Sequence, residues 1–264
     1  MKIITVISSV SHPGFQLLRL SCALKDLELI ALVANKYDLS SRREKDELLQ
    51  AYLASEPDDN EIILFTDGYD AILLSGEKEI LEKFRQTGRD LVFSTETACW
   101  PDTTLASQYP ETTSGPYKFL NSGGFIGKVG IMKAFLNDGT EASDKYPESN
   151  QYLWTKRFLE NPERIGLDIS CQLFCTFSPE VGERYLPGPG SHNHYPYYEY
   201  MKEWFETSFS IQNGRIFNKI SQTWPCQAHF NGHSKHLMDN DITDMLFTMI
   251  PNSKPVQFLY EMEG

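Results

Sequence analysis

The 264-residue sequence has no excess of positive charge, no long apolar run and no pattern of paired cysteines. Its 36 acidic side chains outnumber 24 basic ones, for a formal net charge of −12. A nucleic-acid-binding surface needs a basic face, so that class is disfavoured. A phosphorylated ligand is not, because a bound metal ion and one or two lysines can balance phosphate locally. No apolar stretch reaches the length of a membrane span, and none is expected. The opening MKIITVISSV is apolar only from Ile3 to Val10, with Thr and Ser inside it. It reads as a first core strand rather than a secretion leader, and a cytoplasmic location is the expectation. The five cysteines (Cys22, Cys99, Cys171, Cys175, Cys226) are odd in number and scattered. Cys171 and Cys175 are close in sequence, but no second close pair completes a zinc site, so reduced, buried thiols are expected. No G-x-G-x-x-G follows the first strand, where SSVSHPG stands instead, which disfavours a Rossmann-type oxidoreductase. Internal repeats are absent, and no Gly/Ser/Pro-rich linker divides the first 180 residues.

What is present is an apolar content of 41% with 12% aromatic residues, enough for one large α/β domain over 1–264. Strand patterns at Ile3–Ser8, Leu29–Val33, Ile62–Phe65 and Asp90–Ser94 alternate with helical patterns at Pro13–Leu27, Arg42–Ala54 and Gly76–Thr87. That order predicts a mainly parallel central sheet flanked by helices. In the second helix Glu44, Lys45, Asp46 and Glu47 are expected to face outward, with Leu48, Leu49, Tyr52 and Leu53 inward. Thr97 to Gly130 reads as turn-rich, Tyr152 to Leu159 as helical, and 181–215 as irregular.

The segment EIILFTDGYD, Glu61 to Asp70, carries the most chemistry. Its continuous apolar run suits a strand buried on both faces, which in an α/β sheet ends at the ligand-bearing edge. Asp67 and Asp70 follow on the turn, where Gly68 is expected to permit a sharp bend. Two readings fit: hard oxygen ligands for a divalent cation that also holds a diphosphate, or a polar turn whose aspartates cap the next helix.

Three further islands stand in order along the chain: FSTETACWP (Phe93–Pro101), FLNSGGFIG (Phe119–Gly127) and HFNGHSK (His229–Lys235). With FTDGYD they resemble the glycosyltransferase domain of the procollagen lysyl hydroxylase/glycosyltransferase family, over about Ile3 to Lys235. The resemblance implies a GT-A-like (Rossmann-like) fold, a UDP-sugar donor and Mn²⁺, with Mg²⁺ as a substitute. It assigns Asp67, Asp70 and His229 to the metal and Lys235 to the diphosphate. It places Trp100 beside the donor sugar, and Asn121, Ser122, Gly123, Asn231 and Gly232 on the donor side. Ser8, leaving the first strand, and Lys45, in the following helix, complete the expected donor contacts. Core packing explains Trp100 as well, and a tight turn explains Asn121 and Ser122.

The sequence departs from the family at the aspartate run that precedes a Gln-aromatic-x-Thr segment. Here the stretch is Glu148-Ser149-Asn150-Gln151-Tyr152-Leu153-Trp154-Thr155, with its carboxylates reduced to Glu148. Glu148, Asn150 and Gln151 are therefore the candidate catalytic positions, with Glu96 as a further carboxylate on the expected rim. Asp144 is a second substitute if the loop is displaced. No dioxygenase iron site is found, so a standalone transferase-like domain is expected. Its reaction would move glucose or galactose from a UDP-sugar to a hydroxyl acceptor, possibly hydroxylysine-like. The competing readings are a catalytically degenerate UDP-sugar-binding or scaffold module, and a UDP-sugar hydrolase.

Overall fold

A computed structural model describes residues 1–34, 43–112, 115–138, 145–177 and 195–238. The central sheet is built from β1 (Lys2–Ile7), β2 (Leu29–Val33), β3 (Ile62–Thr66), β5 (Leu91–Glu96), β6 (Phe119–Lys128) and β7 (Ile165–Leu167), in the order β2-β1-β3-β6-β5-β7. β1 pairs in parallel with β2 and β3, and β5 with β7. β6 is antiparallel to both β3 and β5, so it alone runs against the rest. This is the mainly parallel central sheet flanked by helices expected from the sequence.

Alternation along each strand divides the apolar residues between two faces. Ile4, Val6, Ile63, Phe65, Phe93 and Phe125 pack with Leu49 and Leu53 of helix α2 (Glu44–Ser55). The same cluster takes in Met132 of α4 (Val129–Leu136) and Trp154 and Phe158 of α5 (Asn150–Glu160). On the opposite face Ile3, Ile7, Leu64, Val92 and Ile126 pack with Phe15 and Leu18 of α1 (Pro13–Leu24) and with Ile80 and Phe84 of α3 (Glu77–Gln86). Burial on both faces is why these strands read as unbroken apolar runs.

A second sheet, β4-β11-β8, joins β4 (Ala71–Leu73), β8 (Phe174–Thr176) and β11 (Gln227–His229). It packs in a separate apolar cluster with α6 (Tyr195–Ser208), the hairpin β9 (Phe209–Gln212)–β10 (Arg215–Asn218) and α7 (Lys235–Met238).

Several expectations need correction. The region from Thr97 to Gly130 is not simply turn-rich, because it contains the ten-residue strand β6. Its glycines lower strand propensity and hide it from a pattern search. The stretch 181–215 is not irregular throughout: it includes α6 and β9 and the start of β10, while 181–194 and Asp144 lie outside the described residues. The first helix ends at Leu24 rather than Leu27. Gly68 is demanded by space rather than by its dihedrals: a Cβ there would lie 2.5 Å from Ile7 Cγ2 and 2.8 Å from Thr5 Oγ1.

The largest correction concerns α2. Asp46 does not face water but is buried, and its Oδ1 accepts bonds from Asn150 Nδ2 and Trp154 Nε1, both at 3.2 Å. Burial raises its pKa, opposed by those two donors and by the Arg157 guanidinium. Trp154 is wholly buried and lies over Phe93 at 4.9 Å, so Asp46 satisfies the polar edge of a core aromatic. The helical pattern favoured the outward reading only because the acceptor's partners lie a hundred residues away. Asp46→Ala should leave two buried donors unsatisfied and cost about 3 kcal/mol in urea unfolding. A loss below about 0.5 kcal/mol, the range of ordinary surface substitutions, would mean that this contact does not hold α2 to α5.

Candidate active site

β3 ends at Thr66, paired with Gly124 of β6, and the backbone N–H of Asp67 donates to Gly123 O at 2.9 Å. Asp70 is fixed from the other side. β4 and β11 are antiparallel with Ala71 opposite His229, and Phe230 N–H donates to Asp70 O at 2.7 Å. The two sheets thus deliver a carboxylate turn and an imidazole to one point. His229 Nε2 lies 3.6 Å from Asp67 Oδ2 and 3.5 Å from Asp70 Oδ1. One ligand atom from each of the three side chains falls within 4.8 Å of the others.

The strand β6 is shaped for this meeting. Phe93 of β5 pairs with Phe125, but the next residue, Ser94, pairs with Asn121. Residues 122–124 are therefore looped out of the β5 ladder, a bulge of the kind that re-aims a strand beside a site. A Cβ on Gly123 would sit 2.1 Å from His229 Cε1 and 2.7 Å from Nδ1, so the imidazole occupies the space that any other residue would need. The Ser-Gly-Gly of the polar Asn-Ser-Gly-Gly sequence is the bulge itself.

Electrostatically the site is closed by lysines. Lys45 Nζ lies 2.6 Å from Asp67 Oδ1, and Lys235 Nζ lies 3.0 Å from Asp70 Oδ2. Burial pushes the Asp70 carboxyl upward, but His229 and Lys235 outweigh it and hold the group well below the usual carboxylate range. Burial pulls His229 down, and the Asp70 and Asp67 carboxylates more than reverse that. His229 is 2% exposed, and neither of its ring nitrogens has a hydrogen-bond partner. An imidazole ion-paired with two carboxylates but hydrogen-bonded at neither nitrogen suits a divalent cation of borderline preference such as Mn²⁺, which takes both oxygen and imidazole nitrogen.

Next to these ligands lies a buried amide and carboxyl network. Glu96, at the end of β5, accepts from Gln151 Nε2 at 2.5 Å and from Asn231 Nδ2 at 2.9 Å. Gln151 also donates to Trp100 O at 3.1 Å, and its Oε1 accepts from Ser122 N–H at 3.2 Å. Ser122 Oγ donates to Asn150 Oδ1 at 3.2 Å, and Asn150 passes the chain to Asp46. Asn121 Oδ1 accepts from Gly123 N–H at 2.9 Å, which stabilises the bulge. Burial pushes the Glu96 carboxyl up to about 7, against the donors from Gln151, Asn121 and Asn231.

Other expected residues are placed less centrally. Glu148 is exposed beside the charge of Arg43 and does not enter this network. Trp100 is 44% exposed, which rules out its being a core tryptophan. Gly232 is exposed at φ +60 and starts the short turn of helix before Lys235. Ser8 bonds through its N–H and Oγ to Tyr69 Oη, at 2.6 and 2.9 Å, and Ser9 N–H reaches the same oxygen at 2.7 Å. Tyr69 was missed by the sequence reading, as was Asp46. The signal for Tyr69 was its position between the two aspartates, which ties the exit of β1 to their turn. His12 stacks on its ring at 4.0 Å.

Comparison with known proteins identifies a family. The family profile described as "PLOD GT domain" matches residues 43–194. Procollagen-lysine,2-oxoglutarate 5-dioxygenase 1 of Bos taurus is 39% identical over 196 residues, covering 72% of this chain and 24% of that protein. The multifunctional procollagen lysine hydroxylase and glycosyltransferase LH3 of Rattus norvegicus is 33% identical over 178 residues, covering 66% and 21%. The chain thus spans about a quarter or less of the length of these relatives. Among solved structures, a glycosyltransferase involved in glycosylation of the major capsid of PBCV-1 superposes with a TM-score of 0.49 at 12% identity, over 90% of this chain and 98% of that one.

The Glu96 environment has a measurable consequence in the metal-free protein. Its carboxyl carbon should titrate by NMR with a midpoint near 7, and Glu96→Gln should remove that resonance. Because the ordinary value is 4.5, the folded chain takes up a proton between pH 4.5 and 7. This group's contribution to stability therefore falls as pH rises through that window, by about 3 kcal/mol in all. If every glutamate titrates below pH 5.5, Glu96 is not held as described.

Proposed function

Because the chain belongs to the PLOD GT domain family, a family of glycosyltransferase domains, we propose that it is a metal-dependent hexosyltransferase using a UDP-sugar, UDP-glucose or UDP-galactose. The observation that carries this reading is the convergence of Asp67, Asp70 and His229, with one ligand atom of each within 4.8 Å of the others, at the ligand-bearing edge of the sheet. These three residues would hold Mn²⁺, or Mg²⁺ in its place. When bound, the ion would neutralise the donor's diphosphate and act as Lewis acid on departing UDP.

The remaining roles fall to the chain's own groups. Lys45 and Lys235 supply positive charge at the rim of the site, within reach of phosphate oxygens. The exposed Trp100 ring offers a flat apolar surface to one face of a hexose. Asn121, Ser122, Gly123, Asn231 and Gly232 form the donor-side wall. Ser8, tied to the aspartate turn through Tyr69, lies on the side where the nucleoside would sit. Glu96 is the buried carboxyl best placed to exchange a proton with a hydroxyl near neutral pH, since a general acid or base works best with a pKa near the operating pH. Gln151 aims Glu96, and Asn150 links that network to Asp46.

The acceptor is a hydroxyl group; the procollagen names of the relatives favour a hydroxylysine-like one. No helix among the described residues is long and apolar enough to cross a membrane. All five cysteines are free and buried, which fits a reducing compartment and the expected cytoplasmic location. One observation favours a second reading, a donor-binding module without turnover: α5 contributes amides to the site, while Glu148 stays at the surface.

The test is UDP release from UDP-glucose and UDP-galactose with Mn²⁺ or with EDTA, the product sugar being identified. Release should require the metal and should fall about a hundredfold or more in Asp67→Ala and Asp70→Ala, the several kcal/mol that a metal ion supplies. Release that persists in EDTA, or in the double variant, would contradict the assignment. Metal-dependent binding without release, with hydroxylysine and other hydroxyl acceptors supplied, would select the second reading.

A further inference from the structure

Both carboxylates of the metal site are shared in the same way. One oxygen of each is held by a lysine, Lys45 on Asp67 Oδ1 at 2.6 Å and Lys235 on Asp70 Oδ2 at 3.0 Å. The other oxygen of each faces His229 Nε2, at 3.6 and 3.5 Å. The lysines come from separate elements, α2 and α7, and meet the aspartates from opposite ends of the cluster. Each carboxylate is thus matched by one lysine as well as by the imidazole. A divalent cation bound by the same carboxylates would stand within a few ångströms of both ammonium groups. Around the enclosed Lys45, like charges so close are not well screened. The lysines must then find other anions, and a diphosphate bridged by that cation brings them to the same place.

The two lysines are not equally free to move. The Lys235 side chain is 55% exposed, whereas that of Lys45 is 11% exposed. The helix under Lys45 is pinned by its neighbour Asp46 through Asn150 and Trp154. Lys45 can therefore trade one oxygen for another nearby, while Lys235 can swing.

We infer that Lys45 and Lys235 are exchangeable counter-ions, which occupy the metal-binding carboxylates until a cation displaces them and then pass to the diphosphate. Cation and nucleoside diphosphate consequently bind cooperatively, each weakly alone and tightly together. The coupling is reciprocal, as any coupling between two binding equilibria must be. This rests on the metal reading of the preceding subsection.

Free Mn²⁺ followed by electron paramagnetic resonance, on the full chain with and without UDP, tests it. Lys45→Met and Lys235→Met should each bind Mn²⁺ alone about tenfold more tightly than wild type and lose most of the gain that UDP gives the wild type. Lys128→Met is the control for overall charge, since Lys128 pairs with Asp90 at the far end of β6. It should behave as wild type. The inference is overturned if wild type binds Mn²⁺ with UDP while neither lysine variant binds Mn²⁺ alone more tightly than wild type. It is also overturned if Lys128→Met tightens Mn²⁺ binding as much as they do. A wild-type chain that takes up no Mn²⁺ even with UDP removes the metal reading itself, and this inference with it.

Discussion

The antiparallel pairing of β4 with β11 sets Ala71 opposite His229, and the meeting of the imidazole with the two aspartates depends on that register. A slip of one residue would turn the imidazole to the opposite face of the strand, because side chains alternate. The register is fixed by packing as well as by hydrogen bonds. Ile72 and Ala228 are buried together in the smaller core, and Phe230, just beyond the histidine, stacks on Phe177 at 4.7 Å. β11 is also held in parallel by β8, with His229 opposite Thr176. A core remote from the chemistry therefore decides where the imidazole points, while the central sheet decides where Asp67 lies.

Between the two sheets the chain tolerates a concentration of buried polar groups that a plain core would not. Asp46, Asp70, Glu96, Asn121, Asn150, Gln151 and His229 are all buried. Most are joined by donors and acceptors running from Asp46 to Asn231, and such a network is stable only where its members are satisfied. Two of these residues depart from that rule: Asp46, whose Oδ2 has no hydrogen bond, and His229, with neither ring nitrogen hydrogen-bonded. The raised Glu96 and the depressed Asp70 show how far burial and neighbouring charge separate two carboxyl groups of one site. Divergence of that kind marks functional sites more often than structural ones.

Much of the fold was legible because it rests on local pattern. The apolar runs of β1, β3 and β5 and the helical spacing of α1 and α3 follow from period alone. The grouping of Asp67, Asp70 and His229 was legible only through the family resemblance that FTDGYD and the H-x-N-G segment carry together, not through any single residue. What escaped the sequence were interactions between distant segments. Asp46 looks like one more acidic residue of an amphipathic helix until Trp154 and Asn150 are folded against it. FLNSGGFIG reads as two glycines followed by an apolar strand, and the full ten-residue length of β6 escapes because its glycines serve as clearance for His229, Gln227 and Leu91 rather than as breakers. Tyr69 hides as a spacer between two aspartates although it ties them to the first strand.

The most direct measurement of the central claim is the nitrogen coupling of bound Mn²⁺ by electron spin-echo envelope modulation, with UDP present. One directly bound imidazole nitrogen is expected in the wild type and none in His229→Gln. Bound Mn²⁺ with no nitrogen coupling, or a coupling unchanged in that variant, would show that the β4–β11 register does not build the metal site.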